Sequence, residues 1–151
     1  MRLTKNDWDI LMFYLRAAVV ANVILFSCVL MAHAESVQPP HNLWKGLIAE
    51  AVSEGPEGMV AVCLVYRNRL QAGMRMGCSG LKRRDLDQFV ARQGSRYERM
   101  AKDIVARVFS GRERDVTMGA THYENITAFG MPWWAKSMRI TARIGSHTFF
   151  K

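Results

Sequence analysis

Glu50 and Glu54 stand four residues apart in the stretch LIAEAVSEGPEGMVAVCLVYRNRL, Leu47 to Leu70, just before a Gly-Pro break. On a helix that spacing places both carboxylates on one face. A carboxylate at the end of one helix, pressed against a second buried helix, makes a general acid, because partial desolvation disfavours the charged form. The plainer alternative is a pair of solvated helix charges, since such pairs are common on helix surfaces. Tyr123, Trp133 and Trp134 offer flat apolar faces of the kind that pack against pyranose rings. They would serve equally well to complete a small core. Tyr123 and Trp134 are the candidates for substrate binding, ahead of Trp133.

His122 and His147 raise the question of a metal. Zinc takes three or four ligands, each oriented by further hydrogen bonds. The chain has no H-E-x-x-H and no paired-cysteine motif to join these histidines. Satisfied, hydrogen-bonded histidines are therefore expected, with neither metal nor cofactor. Of three cysteines, Cys28 lies in the apolar N-terminal stretch, which leaves Cys63 and Cys78. Oxidising surroundings would favour a disulfide between them, stabilising the fold by roughly 2–4 kcal/mol. A thiolate nucleophile at Cys63 is disfavoured by its apolar neighbours, and no nucleophile elbow supports a serine triad.

These groups depend on the elements that carry them. Leu47, Ile48 and Ala51 give the first segment an apolar face, and Pro56 disfavours helical geometry at Gly55, so that helix should stop there. Glu57 falls in the first turn of the next helix, where a negative charge suits the dipole. From Met59 to Tyr66 every residue is apolar, which predicts a helix buried on nearly all sides. Gln71 to Gly80 reads as a Gly-rich loop. Leu81 to Gln93 reads as a short helix that packs Leu86, Phe89 and Val90 inward. Ser95 to Ser110 is the clearest amphipathic helix, with Ser95 and Glu98 as a capping box, Gly111 as its stop, and Tyr97, Ala101, Ile104, Val105 and Val108 as its buried stripe. From Arg112 onward the pattern changes to short strands and turns. Arg139 to Ile144 alternates, Gly145-Ser146 turns and His147 to Phe150 returns, a terminal β-hairpin. The fold class is α+β: three or four helices first, a small antiparallel sheet last.

The N-terminal third reads as a targeting segment. Arg2, Lys5 and Arg16 precede a predominantly apolar, uncharged run from Ala17 to Met31, followed by Ala32-His33-Ala34. A charged start, an apolar run of about 15 residues and an A-x-A site describe a secretory signal peptide. The run is short for a spanning helix, which needs roughly 20 apolar residues, although Leu11 to Tyr14 would lengthen it into an anchor. The expectation is a signal peptide or signal anchor over 1–34, a Pro-Pro linker over 35–42, and a domain over 43–151 exported to the periplasm or cell envelope. The whole chain carries a net charge of +8. Arg2, Lys5, Arg16, Asp7 and Asp9 all lie in the first 34 residues, so the remainder keeps +7. A basic exported protein meets acidic envelope polymers. No nucleic-acid-binding fold accompanies the charges, and no nucleic-acid partner is expected.

Several blocks resemble a known family. Glu50-Ala51-x-x-Glu54-Gly55, Gly58-Met59-Val60-Ala61-Val62 and Asn68-Arg69 are similar to the opening motif of the SleB-type cell wall hydrolases. That family includes spore-cortex-lytic enzymes and phage lysins. Gly119-Ala120-Thr121-His122-Tyr123, Pro132-Trp133-Trp134 and Ile144-Gly145-x-His147-x-Phe149 follow in the family's order, so the resemblance spans roughly Leu43 to Lys151. Pro56 stands one position later than in the usual Gly-Glu-Pro of the spore enzymes. The resemblance implies a lysozyme-like α+β catalytic domain, a monomer whose partner is the glycan strand of peptidoglycan. It also implies Glu50 as the general acid/base at the bond between N-acetylmuramic acid and N-acetylglucosamine. Glu54 would be a secondary or orienting carboxylate. The expected reaction is that of a lytic transglycosylase, in which the muramic 6-hydroxyl attacks its own anomeric carbon and no second carboxylate is required. The competing readings are a peptidoglycan amidase or peptidase, and a non-catalytic glycan-binding module.

Overall fold

The computed structural model describes residues 37–151, together with Met12 and Val19, both helical. Apart from those two residues, the expected signal segment and the first two residues of the linker, 35 and 36, lie outside the described residues. Among the described residues no helix is long and apolar enough to cross a membrane.

The first helix, α1 (Leu43–Ala51), buries Leu43, Leu47, Ile48 and Ala51, a stripe set by the helical repeat. It ends in a 3₁₀ turn, Val52–Glu54, so Glu50 and Glu54 do not share one continuous helix. Gly55, at φ +70°, then opens α2 (Gly55–Gln71), with Pro56 and Glu57 in its first turn as the sequence predicts. α2 is the axis of the domain. Met59 and the run Ala61 to Tyr66 are fully buried. Two partners require this: Met59, Val62, Cys63 and Tyr66 face the other helices, while Ala61 and Val65 pack on Ala120 and Phe149 of the sheet side. Each such burial is worth about 1.5–3 kcal/mol for a large apolar side chain.

A second 3₁₀ turn, Ser79–Lys82, packs on α1. The helix expected over 81–93 begins only at Leu86, as α3 (Leu86–Gln93), with Val90 buried and Leu86 and Phe89 half-buried against the core. α4 (Ser95–Phe109) buries Ala101, Ile104, Val105 and Val108, as its stripe predicts. Its capping box does not form. Gly94 takes the cap position, and its carbonyl accepts from the amides of Tyr97 and Glu98, while Glu98 pairs with Lys102 at 2.5 Å.

The C-terminal part is a three-stranded antiparallel sheet, which makes the fold α+β. β1 (His122–Glu124) and β2 (Ile140–Ile144) flank β3 (His147–Phe150), so the last strand of the hairpin is central. Between β1 and β2 run a single helical turn, α5 (Ile126–Phe129), and a 3₁₀ turn, Trp133–Ser137. β1 is anchored by a knot beneath the 110–121 loop. Asn68 Nδ2 donates to Asp115 Oδ2 at 2.9 Å and to the Ala120 carbonyl at 3.1 Å. Asp115 also accepts from the amides of Thr117 and Gly119, both at 2.9 Å, and from the Thr117 hydroxyl at 2.6 Å. Burial alone would push the Asp115 carboxyl up; these donors outweigh it and hold it below the ordinary aspartate value.

Candidate active site

A cleft of about 460 Å³ opens where α1, the Ser79–Lys82 turn, β1 and the β2–β3 turn meet. Glu50, Glu54, Tyr123, Trp134, His122 and His147 all line it. The candidate carboxylates, histidines and aromatics of the sequence are thereby gathered in one place, except Trp133, which is 83% exposed and does not line the cleft; Cys63 and Cys78 do not line it either.

Glu50 sits in the last turn of α1. Its Oε1 accepts from the Ser79 hydroxyl and from the Gly80 amide, the latter at 2.5 Å. Its Oε2 meets the Tyr123 hydroxyl at 3.3 Å. Gly80 is a positional requirement: a Cβ there would lie 2.5 Å from the Gly46 carbonyl oxygen and 2.9 Å from Glu50 Cγ. Only glycine lets that amide reach the carboxylate. Tyr123, in turn, reaches the fully buried Tyr66, with the two hydroxyl oxygens 3.1 Å apart. Burial, first of all, pushes both phenols well above the ordinary tyrosine value, so both stay neutral hydroxyls.

Glu54 is held differently. Its Oε1 accepts from the Ser146 hydroxyl at 2.6 Å and its Oε2 from the Ser146 amide at 2.8 Å. His147 Nδ1 lies 3.7 Å from Oε2 and has no hydrogen-bond partner among the described residues. Burial works to raise the Glu54 carboxyl, but the Ser146 donors and His147 prevail and lower it below the ordinary glutamate value. A side chain at the end of a short helix, next to a Gly-Pro break, is expected to fray outward; here the hairpin turn captures it. A Cβ on Gly145 would stand 2.5 Å from Glu54 Oε2, and its φ of +59° also favours glycine.

The aromatic side chains around the cleft form two groups. His122 stacks tilted on Trp134 at 5.2 Å between centroids, Trp134 meets Phe150 edge-on at 5.5 Å, and Tyr123 meets His147 edge-on at 5.0 Å. His122 Nδ1 pairs with the Thr121 hydroxyl at 3.0 Å. Burial, followed by the nearby Arg69, lowers the His122 pKa and favours its neutral ring. Among the described residues no cluster of three His, Cys, Asp or Glu is arranged to hold a metal ion. Cys63 and Cys78 are both buried free thiols, where the sequence suggested a bridge. Each is accommodated as a small apolar group: burial pushes the Cys63 thiol up to about 12, and a Cβ on Gly46 would lie 2.5 Å from the Cys78 sulfur.

Sequence reasoning did not single out Tyr66, Ser79, Gly80 or Ser146. Tyr66 is hidden in an apolar run, and the other three sit in turns with no periodic signal. A glycine-flanked serine, as in Ser79-Gly80 and Gly145-Ser146, is the one local feature the two carboxylate clamps share.

Comparison with known families gives one match. The family described as Cell Wall Hydrolase matches residues 53–150. The matched segment begins between the two carboxylates, taking in Glu54, Tyr123, Trp134 and His147 and leaving Glu50 just outside. Neither the curated proteins nor the solved structures provide a match.

Proposed function

The chain belongs to the cell wall hydrolase family, and on that premise we propose that it cuts the glycan strand of peptidoglycan, with Glu50 as both general acid and general base. The observation that carries this reading is the asymmetry of the Glu50 carboxylate. Oε1 is occupied by an amide and a hydroxyl, while Oε2, in the cleft, meets only the Tyr123 hydroxyl. Oε2 is therefore the atom that holds a transferable proton.

In this mechanism Oε2 protonates the glycosidic oxygen between N-acetylmuramic acid and N-acetylglucosamine, and the bond from that oxygen to the anomeric carbon breaks. Positive charge builds at the anomeric carbon. Glu54, kept ionised by Ser146, supplies a fixed negative charge in the same cleft. The muramic 6-hydroxyl then attacks the anomeric carbon and gives its proton to Glu50 Oε2, leaving a 1,6-anhydro end. With both Glu54 oxygens already accepting from Ser146, that carboxylate acts as a charge and not as a base for water. This favours the lytic transglycosylase over a simple hydrolase, in which a second carboxylate activates water. Trp134 and Tyr123 line the cleft as sugar-stacking faces. The amidase or peptidase alternative finds no support in the thiols, since both are buried.

Digestion of purified peptidoglycan with mass analysis of the products tests the reading. Anhydro-muramic ends, one water lighter than hydrolysis products, are expected. Reducing ends alone would overturn the transglycosylase assignment, and cleaved stem peptides on intact glycan would overturn the glycosidase. Export belongs to the same proposal. It rests on the charged, apolar and A-x-A sequence of residues 1–34, and N-terminal sequencing of envelope-fraction protein should give a start at Glu35.

A further inference from the structure

Asn68 and Arg69 are neighbours near the end of α2 with separate surroundings. Asn68 turns to the loop knot at Asp115, while Arg69, half-buried, lines the cleft. Arg69 is the one lysine or arginine among the lining residues, which also include the carboxylates of Glu50, Glu54 and Glu124. None of those carboxylates pairs with it: the ion pairs among the described residues join other groups. The guanidinium is nonetheless fixed in place. Its Nη1 donates to the Met76 carbonyl at 3.0 Å, and Gly77, at φ +73°, closes against the same nitrogen, where a Cβ would collide with it. Its Nε is buried with no hydrogen-bond partner among the described residues. A buried donor without an acceptor is costly, and the pairing that favours a guanidinium most is with an anion. The fold holds this cation at the cleft and offers it no anion of its own.

The disaccharide repeat of peptidoglycan carries its negative charge in one place. Its N-acetylated rings are neutral. Carboxylates occur only on the lactyl arm of N-acetylmuramic acid or on the stem peptide joined to that arm. We propose that Arg69 is a substrate-binding residue that takes this carboxylate and so registers the muramyl ring in the cleft. The inference rests on the glycan-cleaving reading. Two kinds of β-1,4 bond alternate along the strand, and only the one at the muramyl anomeric carbon has a lactyl arm on the ring that is attacked. A cation that holds the arm presents this bond to Glu50 Oε2. A strand shifted by one ring would leave Arg69 facing a neutral sugar, and is disfavoured. Arginine suits the task because its planar fork matches a carboxylate. An Arg69 that only fastened the Met76–Gly77 loop would be indifferent to charge on the substrate.

The test compares substrates with and without that charge. Glycan strands stripped of peptides by an amidase, and intact peptidoglycan, are each used as the free acids and after carbodiimide coupling to ammonia. The coupling turns carboxylates into amides of nearly the same shape. The parameters kcat and KM are measured at about 0.5 M salt, where long-range attraction to a basic protein is screened. The proteins are wild type, Arg69→Gln and, as a control of equal charge, Arg96→Gln at an exposed position of α4, with Tm for each.

Wild type and Arg96→Gln should prefer the acid form by about ten- to hundredfold in kcat/KM, mostly through KM. Arg69→Gln should cut acid and amide forms alike, at the efficiency of wild type on the amide. A preference on stripped strands assigns the lactyl carboxylate; one on intact peptidoglycan alone assigns a carboxylate of the stem peptide. Equal efficiency of wild type on acid and amide forms of both substrates overturns the proposal. So does an Arg69→Gln variant that keeps the preference, or an Arg96→Gln variant that loses it as fully. If Arg69→Gln does not fold, the wild-type comparison decides. Wild type that produces no new sugar ends from any substrate overturns the glycan-cleaving reading and this role with it. Sugar ends from all the substrates at one efficiency overturn the role of Arg69 alone.

Discussion

Asp115 and Glu50 are both carboxylates gathered into hydrogen bonds at junctions between helix and loop, but their donors differ in kind. Asp115 accepts from two backbone amides, the Asn68 side-chain amide and one hydroxyl, with the Arg67 guanidinium 3.8 Å away. Amide and guanidinium groups cannot turn around to become acceptors. That carboxylate is locked in its charged form and ties a loop down. Glu50 accepts from one amide and two hydroxyls, and its cleft-side oxygen meets a hydroxyl alone. A hydroxyl partner tolerates either protonation state. The number of hydrogen bonds does not separate the structural carboxylate from the one proposed to do chemistry; the reversibility of the donors does.

The largest effect should come from the reversible site. Glu50→Gln should lower glycan cleavage by about a thousandfold or more, several kcal/mol of barrier, while Tm stays within a few degrees of wild type. Normal clearing of cell walls by that variant would put the chemistry elsewhere. At the locked site the expected loss is of stability. Asp115→Ala removes one of the Asn68 hydrogen bonds and leaves the Thr117 and Gly119 amides without their acceptor, and should cost about 2–4 kcal/mol in denaturant unfolding, with the activity of the folded fraction intact. A drop in kcat at full folding would erase the contrast.

Glu54 sits between the two types, with one amide, one hydroxyl and a histidine as neighbours. Glu54→Gln should reduce cleavage about tenfold, the scale of one lost charge of stabilisation, with anhydro ends unchanged in kind. Reducing ends lost selectively in that variant would make Glu54 a base for water. Ser79→Ala should be milder, about threefold in kcat, since the Gly80 amide still holds Oε1.

The smallest effect is in stability against pH. Asp115 and Glu54 have folded pKa values below their ordinary 3.8 and 4.5. Such groups add stability that is fully present above those values and lost as pH falls through the folded ones. Urea midpoints should therefore decline below about pH 4, and Asp115→Asn should flatten that decline. An unchanged slope would mean the loop knot does not hold the charge as described.

Much of this was legible in the sequence where the cause is local. The break at Gly55-Pro56, the buried α2 and the stripe of α4 follow from one residue's backbone limits or a helical period. The gathering of Glu50, Tyr123 and Trp134 was readable only through the family's motifs. What escaped were contacts whose partners are far apart in the chain. Tyr123 reaches Glu50 across 73 residues and Ser146 reaches Glu54 across 92, and no periodicity reports such distances. The failed capping box at Ser95 has a local cause: Gly94 could already terminate the helix, and Glu98 found Lys102 one turn on. Glu54 was expected to fray because its own helix ends there; the turn that holds it belongs to another part of the fold.

The central place of β3 bears on when the protein becomes an enzyme. Ser146 and His147, the partners of Glu54, lie in the turn and strand that also pair with both neighbouring strands. A chain emerging from a ribosome presents Glu50 and Glu54 long before that segment arrives, and until it does the sheet has no middle strand. Pairing over so long a separation is among the slower steps of folding. The cleft that gathers Glu50 and Glu54 is thus closed only when β3 takes its place between β1 and β2.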